Sequence, residues 1–209
     1  MNQKEVTIRV TSFFTYKIGI LYLQKVVYCY RFLKENEMNR EFYLLKDYDS
    51  VPSIRENIDL SKHTFKRITL AQNVIEANNY ISRQLDLPLA SKLLFINCLI
   101  VIDDVPRCIE KVYASLAEVR GLETYDYSDT SFYALLNRKK GISRLFIREE
   151  VKIVEADDQE RELLKLEDDD REIMLIKGTA ISENEKPLAY YETVSDTGLY
   201  RYRSVTSYE

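Results

Sequence analysis

Residues 92–116, KLLFINCLIVIDDVPRCIEKVYASL, decide the fold. Two apolar, β-branched runs flank Asp103-Asp104-Val105-Pro106, a cluster of turn formers. The pattern predicts strand, turn, strand. Both runs are apolar on successive residues rather than on alternate ones. A strand of that kind is buried on both faces, so the hairpin is expected at the centre of a sheet with cover above and below.

The neighbouring stretches supply the rest of the sheet and its cover. FKRITLAQNVIEA alternates Phe65, Ile68 and Leu70 and reads as a strand with these on one face. In ANNYISRQLDL, with Ile75 just before it, apolar residues fall near a period of 3.6 and predict a short helix. GLETYDYSD is a loop leading to DTSFYALLNRKKGI, residues 129–142. There Asp129, Thr130 and Ser131 can each cap a helix start, and Phe132, Leu135 and Leu136 share one face. Basic residues fill the last turn, and Gly141 suits a left-handed terminus. SRLFIREEVKIVEA predicts a long strand, and DDQERELLKLEDDD a helix with Leu163, Leu164 and Leu166 toward the core. REIMLIKGTAISENEKPLAYYETVSD predicts a second hairpin turning at residues 183–186, and GLYRYRSVTSYE a last strand. The order β-α-β-β-α-β-α-β-β-β, rich in hairpins, predicts an α+β fold: an antiparallel sheet with flanking helices.

Composition narrows the chemistry. Of 209 residues, 45% are hydrophobic and 31% charged, as in a globular domain. A formal net charge of −4 does not call for nucleic acid. The three cysteines, Cys29, Cys98 and Cys108, are odd in number and lack metal spacing, which points to reduced thiols and a cytoplasmic setting. With one histidine, His63, there is no histidine-based triad and no expected metal or cofactor. The most apolar N-terminal stretch, residues 18–30, is too short and too interrupted to span a membrane. No Gly-rich phosphate loop or nucleophile elbow occurs. Residues 1–48 are aromatic and β-branched without a sustained period; residues 6–10 alternate and suggest one strand.

Five landmarks stand in order between residues 53 and 207. They are Asp103-Asp-Val-Pro106; Glu110 four residues later; Ser131-Phe-Tyr133 with Leu135-Leu136 and Gly141-Ile142; the helix around Glu160 to Leu166; and Lys186-Pro-Leu with Tyr191-Glu-Thr and Leu199-Tyr-Arg-Tyr202. Together they resemble the effector-binding domain of HutC-type regulators in the GntR family of bacterial transcription factors, the UTRA domain. The resemblance implies a chorismate-lyase-like fold, a small-molecule effector, a homodimer and no catalysis. It implies that Ser131, Tyr133 and Glu110 bind the ligand. Members that sense sugar phosphates carry Arg-x-Arg before the first turn; those places hold Cys98 and Ile100 here. On the closing hairpin, positions that often carry an acid and a Tyr or His hold Ala189 and Ser195. The implied pocket is therefore more apolar, and its ligand not strongly phosphorylated. DNA is the family's other partner, yet residues 1–48 show no recognisable winged helix-turn-helix, so the DNA-binding head is expected to be missing or altered. The alternatives are a chorismate-lyase-like enzyme, or a DNA-free dimerisation module that modulates a full-length regulator.

Overall fold

A computed structural model describes residues 7–10 (backbone only), 43–46, 53–167 and 171–202. The expectations for Cys29, for residues 18–30 and for the end of DDQERELLKLEDDD at 168–170 fall outside them. The described elements are, in order, β1 (Thr7–Val10), β2 (Leu44–Lys46), α1 (Ile54–Asn57), β3 (Phe65–Glu76), α2 (Asn79–Leu85), β4 (Lys92–Ile102) and β5 (Val105–Ser115). There follow α3 (Leu116–Val119), α4 (Phe132–Lys140), β6 (Leu145–Glu155), α5 (Asp158–Leu164), β7 (Glu172–Ser182), β8 (Pro187–Asp196) and β9 (Tyr200–Tyr202).

Seven strands form one antiparallel sheet in the order β1-β6-β7-β8-β5-β4-β3, while β2 and β9 pair in parallel as a second, small sheet. The β4–β5 hairpin lies inside the large sheet, and β4 is buried along nearly its whole length. Its turn is the two-residue kind: Asp103 and Asp104 both take positive φ, 52° and 62°. That backbone twist matches the twist of the flanking strands. The Asp103 carboxylate also accepts the Thr64 amide at 2.9 Å and faces His63 Nδ1 at 2.7 Å, so the turn is tied to the approach of β3.

Parity along the strands sorts the two faces. Leu94, Ile96, Cys98, Ile100 and Ile102 face inward and pack with Phe132, Leu135 and Leu136 of α4, Ile54 of α1 and Leu44 of β2. Leu99, Val101, Ile109 and Val194 face outward beneath Leu164 of α5. Leu93 and Tyr190, further along the same outer face, receive Ile81 and Leu85 of α2. Each helix starts where its sequence permits. Asn78 accepts the Ile81 amide, Ser131 accepts the Ala134 amide, and Asp157 with Glu160 forms a reciprocal capping box.

Two sequence expectations need correction. Phe65, Ile68 and Leu70 do not share a buried face. Phe65 packs inward, whereas Ile68 and Leu70 are exposed, because an odd step of three reverses the side chain and a bulge interrupts β3 between Thr69 and Ala71. Ile75 belongs to β3, not to the helix that follows.

One close approach shapes the inner face. Gly178 of β7 sits opposite Tyr191 of β8, and a Cβ at Gly178 would overlap the Tyr191 ring. The ring lies over the bare glycine and passes its hydroxyl to Glu149 of β6. Replacing Gly178 by Ala should therefore destabilise the domain by about 1–3 kcal/mol, the usual cost of overpacking. Urea unfolding of the variant against the parent measures this; an unchanged midpoint would contradict it.

Candidate functional site

The site lies on the inner face, where α4 begins above β3, β5 and β8. It is a small cavity of about 20 Å³, lined among others by Ser53, Arg67, Glu110, Ser131, Tyr133 and Tyr191. That is roughly the room for a single water.

Arg67 and Glu110 form its charged floor. Arg67 lies opposite Ile100, and Glu110 opposite Cys98, so the two side chains meet diagonally across β4. Arg67 Nη2 is 3.0 Å from Glu110 Oε2, and both side chains are almost wholly buried. Burial is the largest single influence and opposes the guanidinium charge, but the attraction of Glu110, added to those of Cys98, Glu56 and Cys108, holds Arg67 above its ordinary range. Arg67 Nε has no hydrogen-bond partner among the described residues. The pair is close to neutral as a unit. A buried pair of this kind adds little net stability, yet losing one member strands the other charge.

The roof comes from α4. Ser131 is its N-cap: its hydroxyl oxygen accepts the Ala134 amide at 3.0 Å and its proton goes to Glu56 Oε1 at 2.5 Å. The amides of Phe132 and Tyr133 precede the first intrahelical acceptor and lend the cavity a partial positive charge. Arg138, Lys139 and Lys140 balance the dipole at the other end, where Gly141 takes a φ of 66°. Tyr133 is buried, and its hydroxyl has no partner among the described residues. Burial first, then Glu110, pushes its pKa well up, so it remains a donor. Its ring meets Tyr191 edge-on at 6.3 Å between centroids. Tyr191 is likewise held protonated by burial and by Glu149, which also receives the Lys46 ammonium from β2.

Of the residues singled out from sequence, Glu110, Ser131 and Tyr133 converge on this cavity. Cys98, Ile100, Ala189 and Ser195 share the inner face but are fully buried in the packed core and do not line it. Ser195 donates to the Asp196 carbonyl at 3.1 Å. Cys98 and Ile100 on β4 bring no arginine to the cavity, and β3 brings Arg67. Arg67, Tyr191, Thr193 and Ser53 were missed. Parity from Phe65 was the available signal for Arg67, since residues 65 and 67 must share a face.

Among the described residues no group of three His, Cys, Asp or Glu is placed to hold a metal, and no helix is long and apolar enough to cross a membrane. Polar donors and acceptors thus converge on a small recess in an antiparallel α+β sheet. The fold recurs in solved structures. PhnF from Mycobacterium smegmatis matches with a TM-score of 0.70 at 17% identity, covering 80% of this chain and 73% of that one. The C-terminal domain of the histidine utilization repressor from Pseudomonas syringae matches at 0.62 and 15%, covering 69% and 100%. A GntR-family transcriptional regulator from Bacillus cereus matches at 0.61 and 18%, covering 68% and 99%. No curated protein matches the sequence. The UTRA domain model matches residues 61–201, and the chain belongs to that family.

Arg67→Ala should destabilise the domain by about 3–5 kcal/mol by leaving Glu110 buried and unpaired, whereas Arg67→Met with Glu110→Leu should be neutral or stabilising. Chemical denaturation of the two variants gives the comparison. Equal losses in both would show that the pair is not coupled.

Proposed function

We propose that this domain senses a small, hydroxylated, non-phosphorylated effector, held by Glu110, Ser131 and Tyr133 together with Arg67, and that it binds this ligand without converting it. The observation that carries the reading is the self-neutralised Arg67–Glu110 floor beneath a Tyr133 hydroxyl that has no partner among the described residues. A dianionic phosphate needs surplus positive charge, and the only guanidinium among the described residues lining the cavity is matched by Glu110. A ligand hydroxyl, in contrast, finds an acceptor in Glu110 and a donor in Tyr133. The reading without catalysis is supported by the cysteines. Cys98 and Cys108 are buried and their thiols are pushed up by that burial, away from nucleophilic character.

Dimerisation belongs to the same proposal. Strand β3 is an edge of the sheet with exposed apolar residues on both sides of it, Ile68 on the outer face opposite Leu99 and Val74 on the inner face opposite Leu94, and a second copy pairing along this edge would cover both. A cytoplasmic setting follows from reduced thiols. DNA contact, where it occurs, would lie outside the elements described.

A thermal-shift screen of sugars, sugar phosphates, hydroxy acids and amino acids tests the ligand. Ligand at 100 times its Kd adds about 2.7 kcal/mol. A neutral or singly charged hydroxylated hit is expected, lost on Tyr133→Phe; tight binding of a sugar phosphate by calorimetry would refute the charge argument. Light scattering tests the interface. Ile68→Lys with Val74→Lys should convert dimer to monomer, and an unchanged mass would remove β3 from the interface.

A further inference from the structure

The segment that opens the described core, Ser53–Asn57, does more than precede β3. Ser53 and Ile54 are buried, Ser53 lines the cavity, and three residues on Glu56 reaches back to the Ser131 hydroxyl at 2.5 Å. A carboxylate therefore already sits at the start of α4, where the helix dipole and a hydroxyl donor favour an anion. It comes from the chain itself. Two further observations mark the spot as a ligand position and not merely a capped helix. Tyr133 is nine-tenths buried with a hydroxyl that has no partner among the described residues, and Ser53 Oγ is buried in the same condition. Well-packed structures rarely leave such groups unsatisfied unless something else is to meet them. The cavity as it stands has room for little more than a water, so an effector enters only if its present boundary moves. Glu56, held against the lining residue Ser131, is the group best placed to move: its residue is otherwise exposed, whereas Arg67, Glu110 and Tyr133 are locked in the sheet and helix.

We propose that Glu56 is an internal stand-in for the effector's carboxylate, and that a carboxylate-bearing effector binds by displacing Glu56 and with it the 53–57 segment. The inference rests on the pocket reading above and adds the charged group of the ligand. A single negative charge is what the site accommodates once Glu56 leaves, because Arg67 and Glu110 remain matched and α4 supplies only a partial positive charge. Displacement also gives the pocket an output. Residues 53–57 are continuous with the N-terminal part of the chain, so ligand binding and release of this segment are two sides of one equilibrium.

The probes are glycerate, which combines a carboxylate with two hydroxyls, and glycerol, its uncharged counterpart. Each is titrated into the full chain, as parent, Glu56→Gln and Glu56→Ala, while the amide signals of Phe132, Tyr133 and Ala134 are followed by NMR. Thermal melts without ligand verify that the variants are folded. Removing the internal competitor should tighten glycerate binding by at least about ten-fold, within the usual range of intramolecular coupling, and leave glycerol unchanged. In the parent, glycerate should speed hydrogen exchange at residues 54–57. Equal glycerate affinity in all three proteins, with signals shifting at α4, would overturn the stand-in role and leave the pocket reading intact. Gains of the same size for glycerol would also overturn it, since they would show simple unblocking. No shift at α4 from either probe in any variant would overturn both.

Discussion

Strand β4 is apolar on both faces, and every layer of the molecule answers to that. A strand with only one apolar face could lie on a solvated surface; Leu94 to Ile102 on one side and Leu93 to Val101 on the other cannot. The outer face is roofed by α2 and α5, and the inner face by α4 with α1 and β2 at its margin. The binding recess exists because this inner roof is incomplete. α4 spans nine residues, and at its start the sheet below is covered by polar side chains instead of a further turn of helix.

That polar gap organises the charges. Arg67 and Glu110 enter from strands on either side of β4 and meet over Cys98 and Ile100, which are small or apolar enough to let them pass. Cys98 and Ile100 thus form the support beneath an ion pair. A single guanidinium reaches the site by another strand and arrives already matched.

Much of the architecture was legible in the sequence because it is written in local signals. The Asp103-Asp104 turn and the Ser131 cap with Gly141 at the far end each require particular residues within a few positions, and the structure forms them there. The strand order could be read as α+β for the same reason. The register of β3 was harder. Ile68 and Leu70 look like core residues and are exposed, while Arg67 looks like surface and is buried. Hydrophobicity pointed outward and parity inward, and only the tertiary pairing with β4 resolves the conflict. The site was half visible for a related reason. Ser131 and Tyr133 belong to one short motif, but their partners Glu56, Arg67 and Tyr191 are brought together by pairings over long stretches of chain.

The pairing of β1 carries a consequence for how the molecule is made. Thr7–Val10 finds its partner in residues 149–152 of β6, and Leu44–Lys46 finds its own in Tyr200–Tyr202. During synthesis the chain emerges from its N-terminus, so these two strands leave the ribosome long before the segments they pair with. The β3–β4–β5 meander, whose contacts are local, can assemble while they wait. Strand β1 is therefore placed late, added at the rim of a sheet that has already formed without it, and β2 waits for β9 to complete the separate small sheet.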